Sequence, residues 1–433
     1  MKRGARWLAT LLAVVCGAAG AAEEFSFDAG EFAKKPFEFT GYVEFRPERF
    51  RLNQDGAFYK VNFYNLARRD SLDRETAVFK PSARLRLGDD ATLNARANLD
   101  YQRDNLGSAQ HRRLDEAFLS WKPDPGFTLD AGKIALRWGK GYAWSPVAFV
   151  ERTRDPNDPD LAREGYALLS ADVIRNFDGP LQSMAFTPVL LPATEDVNSD
   201  FGAAGHANAA AKLYLLYRDT DIDFAYLGNG SRTRRYGFDF SRNLGTSLEI
   251  HGEWARVAGA QHPVVDPTGN AGSERLDGTS YLLGMRYLSE RETTTIVEYY
   301  RNGSGYDSAR LRDFFQFVDR GVAQYQSGGG STLLQRATSL AQGGYGQPNP
   351  GRRYAYLRVS QNEPFDTLYL SAAVTAIANL DDRSYSLAPE LQYTRFRNLE
   401  LRLRLFLLHG GAGTDFGEKQ NDRRIEFRAR YFF

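Results

Sequence analysis

The sequence predicts an all-β fold: a transmembrane antiparallel β-barrel of about 18 strands, with short periplasmic turns at one end and long outer loops at the other. Three observations carry this reading. Apolar and polar residues alternate along one segment after another. Every second connection is a tight turn, and most of those between are longer. The sequence closes on "RIEFRARYFF", where Ile425, Phe427, Ala429, Tyr431 and Phe433 share one face, and Glu426, Arg428 and Arg430 share the other. In a bilayer every backbone N–H and C=O must be paired within the protein, and a closed barrel does this.

Composition agrees. Mean hydropathy is −0.48 and 25% of residues are charged, yet 13% are aromatic, with 23 Tyr and 29 Phe. A lipid face diluted by an equally large polar lumen face gives such an average. No internal repeat of the propeller or solenoid kind is present. The net charge of +1 argues against nucleic acid as a partner.

The elements follow in order. "MKRGARW", the short apolar "LATLLAVVCGAAG" and the small residues of "AGAAEE" predict a secretory leader over 1–22, with the barrel spanning 23–433. Cys16, the one cysteine, falls in the leader, and Val15 before it disfavours lipid attachment. Disulfides and thiolate chemistry are thereby excluded from the mature chain. No later apolar run reaches the ~18 residues that a membrane helix needs. In the first strand Phe37, Phe39, Gly41, Val43 and Phe45 oppose Glu38, Thr40, Tyr42, Glu44 and Arg46. Ala83, Leu85 and Leu87, turning at "GDD" into Leu93, Ala95, Ala97 and Leu99, form a hairpin. Pro81 lacks an N–H and is expected at a strand end. Further hairpins turn at "PDPG", "DGP", "DTD", "NLG", "SER", "NEP" and "RFRN". The longer connections are 47–76, 103–112, 138–165, 191–209, 257–278, 302–351 and 409–423.

Barrels of ~16–18 strands leave an aqueous channel. Arg84, Arg86, Arg96, Arg402, Arg404, Arg428 and Arg430 face inward on the first and last strands, which become neighbours on closure. They predict a basic wall. Glu249, Glu253, Glu298, Glu390, Glu400 and Glu426 predict a more acidic sector, and the field between the two tunes selectivity. The connection 138–165 carries Trp144, Phe149 and Val150, too apolar to lie free in water. It is expected to fold into the lumen and narrow it, with Arg137, Lys140, Glu151, Arg152, Arg154, Asp155, Asp158 and Arg163 as lining candidates. Its "DPNDPD" lacks the glycine and distal glutamate of a hand-type calcium loop and reads as a stiff turn. In 302–351, Leu311, Phe314, Phe315 and Val318 have helical spacing, as do Leu333, Leu334, Ala337 and Leu340. Two helices are expected there, capping the mouth or packed on its rim. His251 falls near Glu249 and Glu253, but no nucleophile motif or zinc spacing accompanies it. The reading is therefore not an enzyme, with no metal and no cofactor.

Two resemblances add to this. The final strand resembles the C-terminal signal of bacterial outer-membrane proteins, with Phe427, Ala429, Tyr431 and Phe433 in the positions read by the barrel-assembly machinery. "RRLDEAFLSWKPDPGFTLDAGKIALRWGKG" resembles a stretch of alginate-export-type outer-membrane proteins, which implies an 18-stranded barrel with an arginine-rich lumen. "WGKGYAWSPVAFVERTRDPNDP", with Pro192 at the end of the next hairpin, resembles a large uncharacterised family of bacterial outer-membrane proteins. The expected function is a Gram-negative outer-membrane porin for passive passage of small hydrophilic, charged solutes. The alternatives are an export channel for an anionic polysaccharide, or a sleeve around a partner protein. The expected partners are outer-membrane lipid, the assembly machinery, and the solute or polymer.

Overall fold

A computed structural model describes residues 35–157 and 164–433. The leader, Asp158 and Arg163 lie outside the described residues. The strands are β1 (Phe37–Leu52), β2 (Ser71–Leu87), β3 (Ala91–Asp104), β4 (Ser108–Asp124), β5 (Phe127–Ile134) and β6 (Tyr166–Asn176). Then come β7 (Leu181–Ala193), β8 (His206–Tyr217), β9 (Thr220–Leu227), β10 (Arg235–Leu244), β11 (Leu248–Val265) and β12 (Ala271–Leu288). The last six are β13 (Thr293–Arg301), β14 (Arg353–Asn362), β15 (Leu370–Asn379), β16 (Tyr385–Tyr393), β17 (Leu399–His409) and β18 (Asn421–Phe432). Each pairs antiparallel with its sequence neighbours, and β18 pairs with β1, so the 18-stranded sheet closes. Among the described residues no helix is long and apolar enough to cross a membrane; the strands do so.

The alternation sorts the two faces as expected. Phe37, Phe39, Val43 and Phe45 of β1, Leu283, Met285 and Tyr287 of β12, and Ile425 and Phe427 of β18 point outward and are exposed. Their neighbours Glu44, Glu48, Leu282, Glu426 and Arg428 point inward and are buried. A barrel with an apolar outer belt and a polar interior suits lipid outside and water inside.

Several boundaries depart from the sequence reading. β1 and β2 run on to Leu52 and back to Ser71, so the connection 47–76 shrinks to 53–70 and holds a helix, α1 (Ala57–Phe63). The connections 103–112 and 257–278 are largely strand, because β3, β4, β11 and β12 continue toward tight turns at 105–107 and 266–270. Polar residues occupy both faces of the first extension, and in the second a bulge between Val257 and Ala260 breaks the period, so alternation gives no signal there. β5 stops at Ile134, and the loop expected to begin at 138 begins at 135. Pro81 lies inside β2, not at its end. It pairs with Gly41 of β1, while the β2–β3 ladder skips from Phe79 to Ser82 without changing register. The missing N–H thus falls at a gap in that ladder.

The expected helices in the long outer loop are α2 (Ser308–Gln326) and α3 (Thr332–Leu340). The Asp307 carboxylate caps α2 by accepting from the Arg310 N–H at 2.9 Å. Leu311, Phe314, Phe315 and Val318 are buried against Ala57 and Val61 of α1, Ala337 of α3, and Tyr345. Lys60 reaches Asp319 at 2.6 Å. Gly56 brings no capping side chain to α1, so Glu418 of the β17–β18 loop accepts from the Ala57 N–H at 2.7 Å. Three outer loops are thereby joined into one lid. Phe314→Ala, fully buried here, is expected to loosen the lid by about 3–5 kcal/mol. Amide exchange should accelerate in 308–326 while the barrel strands stay protected.

Candidate functional site

The connection between β5 and β6 folds back onto the lumenal face of the sheet. Trp138, Val147, Phe149 and Val150 are buried against Leu191, Leu227 and Ala255 of β7, β9 and β11. Gly237 of β10 makes room for them: a Cβ there would meet Val147 Cγ1 at 2.7 Å. Further along the wall, Trp144 stacks on Tyr300 at 5.1 Å between ring centres. It packs in a cluster with Leu282, Ile296, Tyr354 and Tyr356.

Two carboxylates of the wall hold this loop by its backbone. Glu253 of β11 accepts from the N–H groups of Lys140 (2.7 Å), Gly141 (2.6 Å) and Val147 (3.2 Å) and from the Ser145 hydroxyl (3.0 Å). Glu298 of β13 accepts from the N–H groups of Tyr142 (2.5 Å) and Ala143 (2.9 Å), with His251 Nε2 at 3.0 Å. Gly139 permits the approach. It adopts φ +87°, and a Cβ on it would lie 2.6 Å from the Glu253 carboxylate. These contacts correct the expectation that Glu253 and Glu298 line open water: both are buried beneath the loop. Glu249 keeps an open edge and accepts from the Tyr142 hydroxyl at 3.1 Å. Burial, with the Glu249 charge beside it, raises the Tyr142 pKa above its usual value.

The loop's own charges divide. Lys140 lies 2.9 Å from Asp223 and 4.0 Å from Asp239. Burial opposes its charge, but the two aspartates more than offset this, and its pKa stands above the usual lysine value. Arg154 donates to the carbonyls of Gly141 and Trp138, closing the loop on itself, and Glu151 accepts from the Trp138 N–H. Arg152 pairs with Asp200 and lies over the Tyr166 ring at 4.5 Å. Arg137 and Asp155 are exposed.

The opposite wall carries the predicted arginines, but not as a basic sector. Arg430 meets Glu44 at 2.8 Å, Arg428 meets Glu426 at 2.9 Å, and Arg404 meets Glu390 at 2.5 Å. Arg402 meets Glu400 at 3.3 Å. Toward the short-turn end, Arg86 and Arg84 share Glu38 (2.8 and 3.6 Å), and Arg96 meets Glu116 at 2.7 Å. The expected split into a basic wall and an acidic sector is therefore corrected to an interleaved ladder. The reason is local: Glu44 faces Arg430 and Glu390 faces Arg404 as opposite-charge pairs, while the facing like pairs Glu48–Glu426 and Arg402–Arg428 turn to opposite charges beside them. The ladder also uses residues that the sequence reading did not single out: Arg46, Glu44 and Glu48 of β1, Arg358 of β14 and Arg424 of β18. All but Glu48, which falls in the connection read as 47–76, lie on the inward phase of a legible strand, so alternation held the signal. The buried pair Lys80–Asp115, at 2.7 Å, had no such clue, because the alternation of β2 is read only from Ala83 and Lys80 precedes it.

Space remains on both sides of the loop. A cavity of about 840 Å³ lies between the loop (Ala143–Arg154) and the outer loop bearing Tyr306 and Gln347. A smaller one, about 430 Å³, separates Thr153–Asn157 from Phe406 and Arg424 on the far wall. The Arg424 guanidinium lies 3.6 Å from the Phe406 ring centre.

A closed 18-stranded antiparallel barrel with an apolar belt and a charged lumen is the fold of an outer-membrane β-barrel. No family model and no curated protein matches the chain. The chain is similar to solved structures. Pseudomonas aeruginosa OccK5 (OpdH) superposes with a TM-score of 0.53 at 12% identity, covering 92% of this chain and 98% of that one. Pseudomonas aeruginosa OccK7 (OpdD) gives 0.47 at 11% identity, with the same coverage. A mutant of the Rhodopseudomonas blastica porin gives 0.42 at 10% identity, covering 92% of this chain and all of that one.

Proposed function

We propose that the protein is an outer-membrane channel for passive passage of small hydrophilic, charged solutes, narrowed by the 135–165 loop. One observation carries the reading: the loop is fastened to one side of the lumen by buried carboxylates, and open space remains between it and the opposite wall. A segment merely stored in the barrel has no need of two glutamates spent on its backbone. The interleaved ladder presents alternating charge to a solute and no continuous basic track, which favours small solutes over the anionic polysaccharide suggested by the resemblance of 112–141 to alginate-export-type proteins. The lid and the inserted loop likewise leave little room for a threaded protein.

The test is single-channel recording of the refolded protein in a planar bilayer under a potassium chloride gradient. A stable open conductance supports the reading, and a silent but folded barrel removes it. Arg424→Glu changes the charge at the gap by two units. A unit charge at about 4 Å in water is worth ~1 kcal/mol, so the permeability ratio is expected to move several-fold toward cations. An unchanged reversal potential would mean that ions pass elsewhere.

A further inference from the structure

The large cavity outside the loop holds an unbalanced charge. Its lining includes four guanidiniums, Arg152, Arg154, Arg232 and Arg235, against two carboxylates, Glu151 and Asp200. Both carboxylates are engaged, Asp200 by Arg152 and Glu151 by Arg154 and the Trp138 N–H. That leaves Arg232 and Arg235. Arg232 bonds to the carbonyls of Phe201 and, at 3.2 Å, Phe149 and to the Tyr166 hydroxyl, and lies 4.0 Å from the Phe201 ring centre. Burial, opposed only by Tyr166 and by no carboxylate, lowers its pKa from the usual guanidinium value. Arg235 begins β10 on the inward phase shared with Gly237 and Asp239, while Tyr236 and Phe238 face lipid. Its Nε is buried without a hydrogen-bond partner, and among the described residues no carboxylate pairs with it. A half-buried cation without a partner is costly, and every other arginine of this cavity has hydrogen-bond acceptors.

We infer that Arg235, with Arg232 beside it, forms an anion-binding site on the outer side of the inserted loop, for a small oxyanion bearing a carboxylate or phosphate group. The planar fork of a guanidinium suits either group, which it binds through two parallel N–H donors. The Ser280 and Ser304 side chains line the same cavity and offer further hydroxyl donors. The inference rests on the channel reading only for the solute's route of entry.

The experiment is isothermal titration of the full folded chain in detergent with sodium acetate and, separately, with inorganic phosphate. The wild-type protein is expected to bind at least one probe, and which of them binds assigns the head group. Arg235→Gln is expected to weaken binding by roughly tenfold or more, the worth of a charge-assisted hydrogen bond. Arg235→Lys, which keeps the charge but not the fork, is expected to lose less. Both variants should keep the heat-modifiable gel mobility of the folded barrel, since Arg235 is half-buried and no carboxylate loses its partner. Binding by Arg235→Gln equal to wild type, or no binding of either probe by the wild type, would overturn the site. Titration does not depend on conductance. A silent bilayer with anion binding intact removes the channel and leaves the site, and an open channel without binding does the reverse.

Discussion

Replacing Glu253 and Glu298 together by alanine is expected to free the first half of the inserted loop and raise the single-channel conductance. The double variant takes away the acceptors of five backbone N–H groups and one hydroxyl. Each buried donor left unsatisfied costs about 1–3 kcal/mol. The apolar anchors Val147, Phe149 and Val150 remain, each worth about 1.5–3 kcal/mol of burial. The second half of the loop should therefore hold while 138–146 detaches and takes up water. The result to look for is a larger, noisier conductance, with faster amide exchange confined to that segment. Glu253→Gln is expected to behave nearly as badly as alanine. Its NH₂ group would face a loop donor, and a backbone N–H, unlike the Ser145 hydroxyl, cannot turn round to accept. Unchanged conductance with unchanged exchange would mean that the apolar packing alone fixes the loop, and that the glutamates add nothing.

Alternation made the barrel legible because its cause is periodic. Side chains on a strand point to opposite faces in turn, and a lipid face must be apolar. Strand number and the inward phase of Arg402, Arg404, Arg428 and Arg430 follow from that alone. Wherever the outer face need not meet lipid the signal disappears, and β3–β4 and β11–β12 were read too short there. The loop's insertion was legible from Trp144, Phe149 and Val150, which need cover. Its fastening was not. Period two says that Glu253 and Glu298 point inward, but not whether water or another segment lies over them. The contact that decides this joins residues 106 to 156 positions apart.

The charge ladder illustrates the same limit. The sequence places arginines and glutamates on adjacent inward positions but leaves their pairing to register, which hairpin geometry fixes. Arg404 faces Glu426 across β17–β18 and Glu390 across β16–β17, and its Nε donates to Glu390. Such pairing consumes much of the charge that a sequence count assigns to a wall. The arginine left over, Arg235, lies on a strand the sequence reading did identify, but nothing in its own neighbourhood of sequence distinguishes it from the paired ones.

Deleting Phe433 or replacing Gly41 by valine is expected to cut the yield of closed barrel sharply, because the two residues form the end of the closing seam. The Gly41 N–H donates to the Phe433 carbonyl and the Phe433 N–H to the Gly41 carbonyl, both at 3.1 Å. The Phe433 ring lies 5.6 Å from that of Phe39 and 6.0 Å from that of Phe79. Removing the residue forfeits two backbone bonds of about 0.5–1.5 kcal/mol each and ring contacts of similar size. It also exposes unpaired strand edges in a medium that offers no replacement partner. A Cβ at Gly41 would lie 2.4 Å from the Lys80 carbonyl oxygen and 2.9 Å from the Phe433 ring, so valine there has to break the seam from the other side. Heat-modifiability on a gel reads closure directly, and comparing two settings separates two roles. If the residue acts through the seam, both variants fail alike when refolded into lipid vesicles and when expressed in cells. If Phe433 acts chiefly as a signal to the assembly machinery, its deletion refolds normally in vesicles and fails only in cells, while Gly41→Val still fails in both.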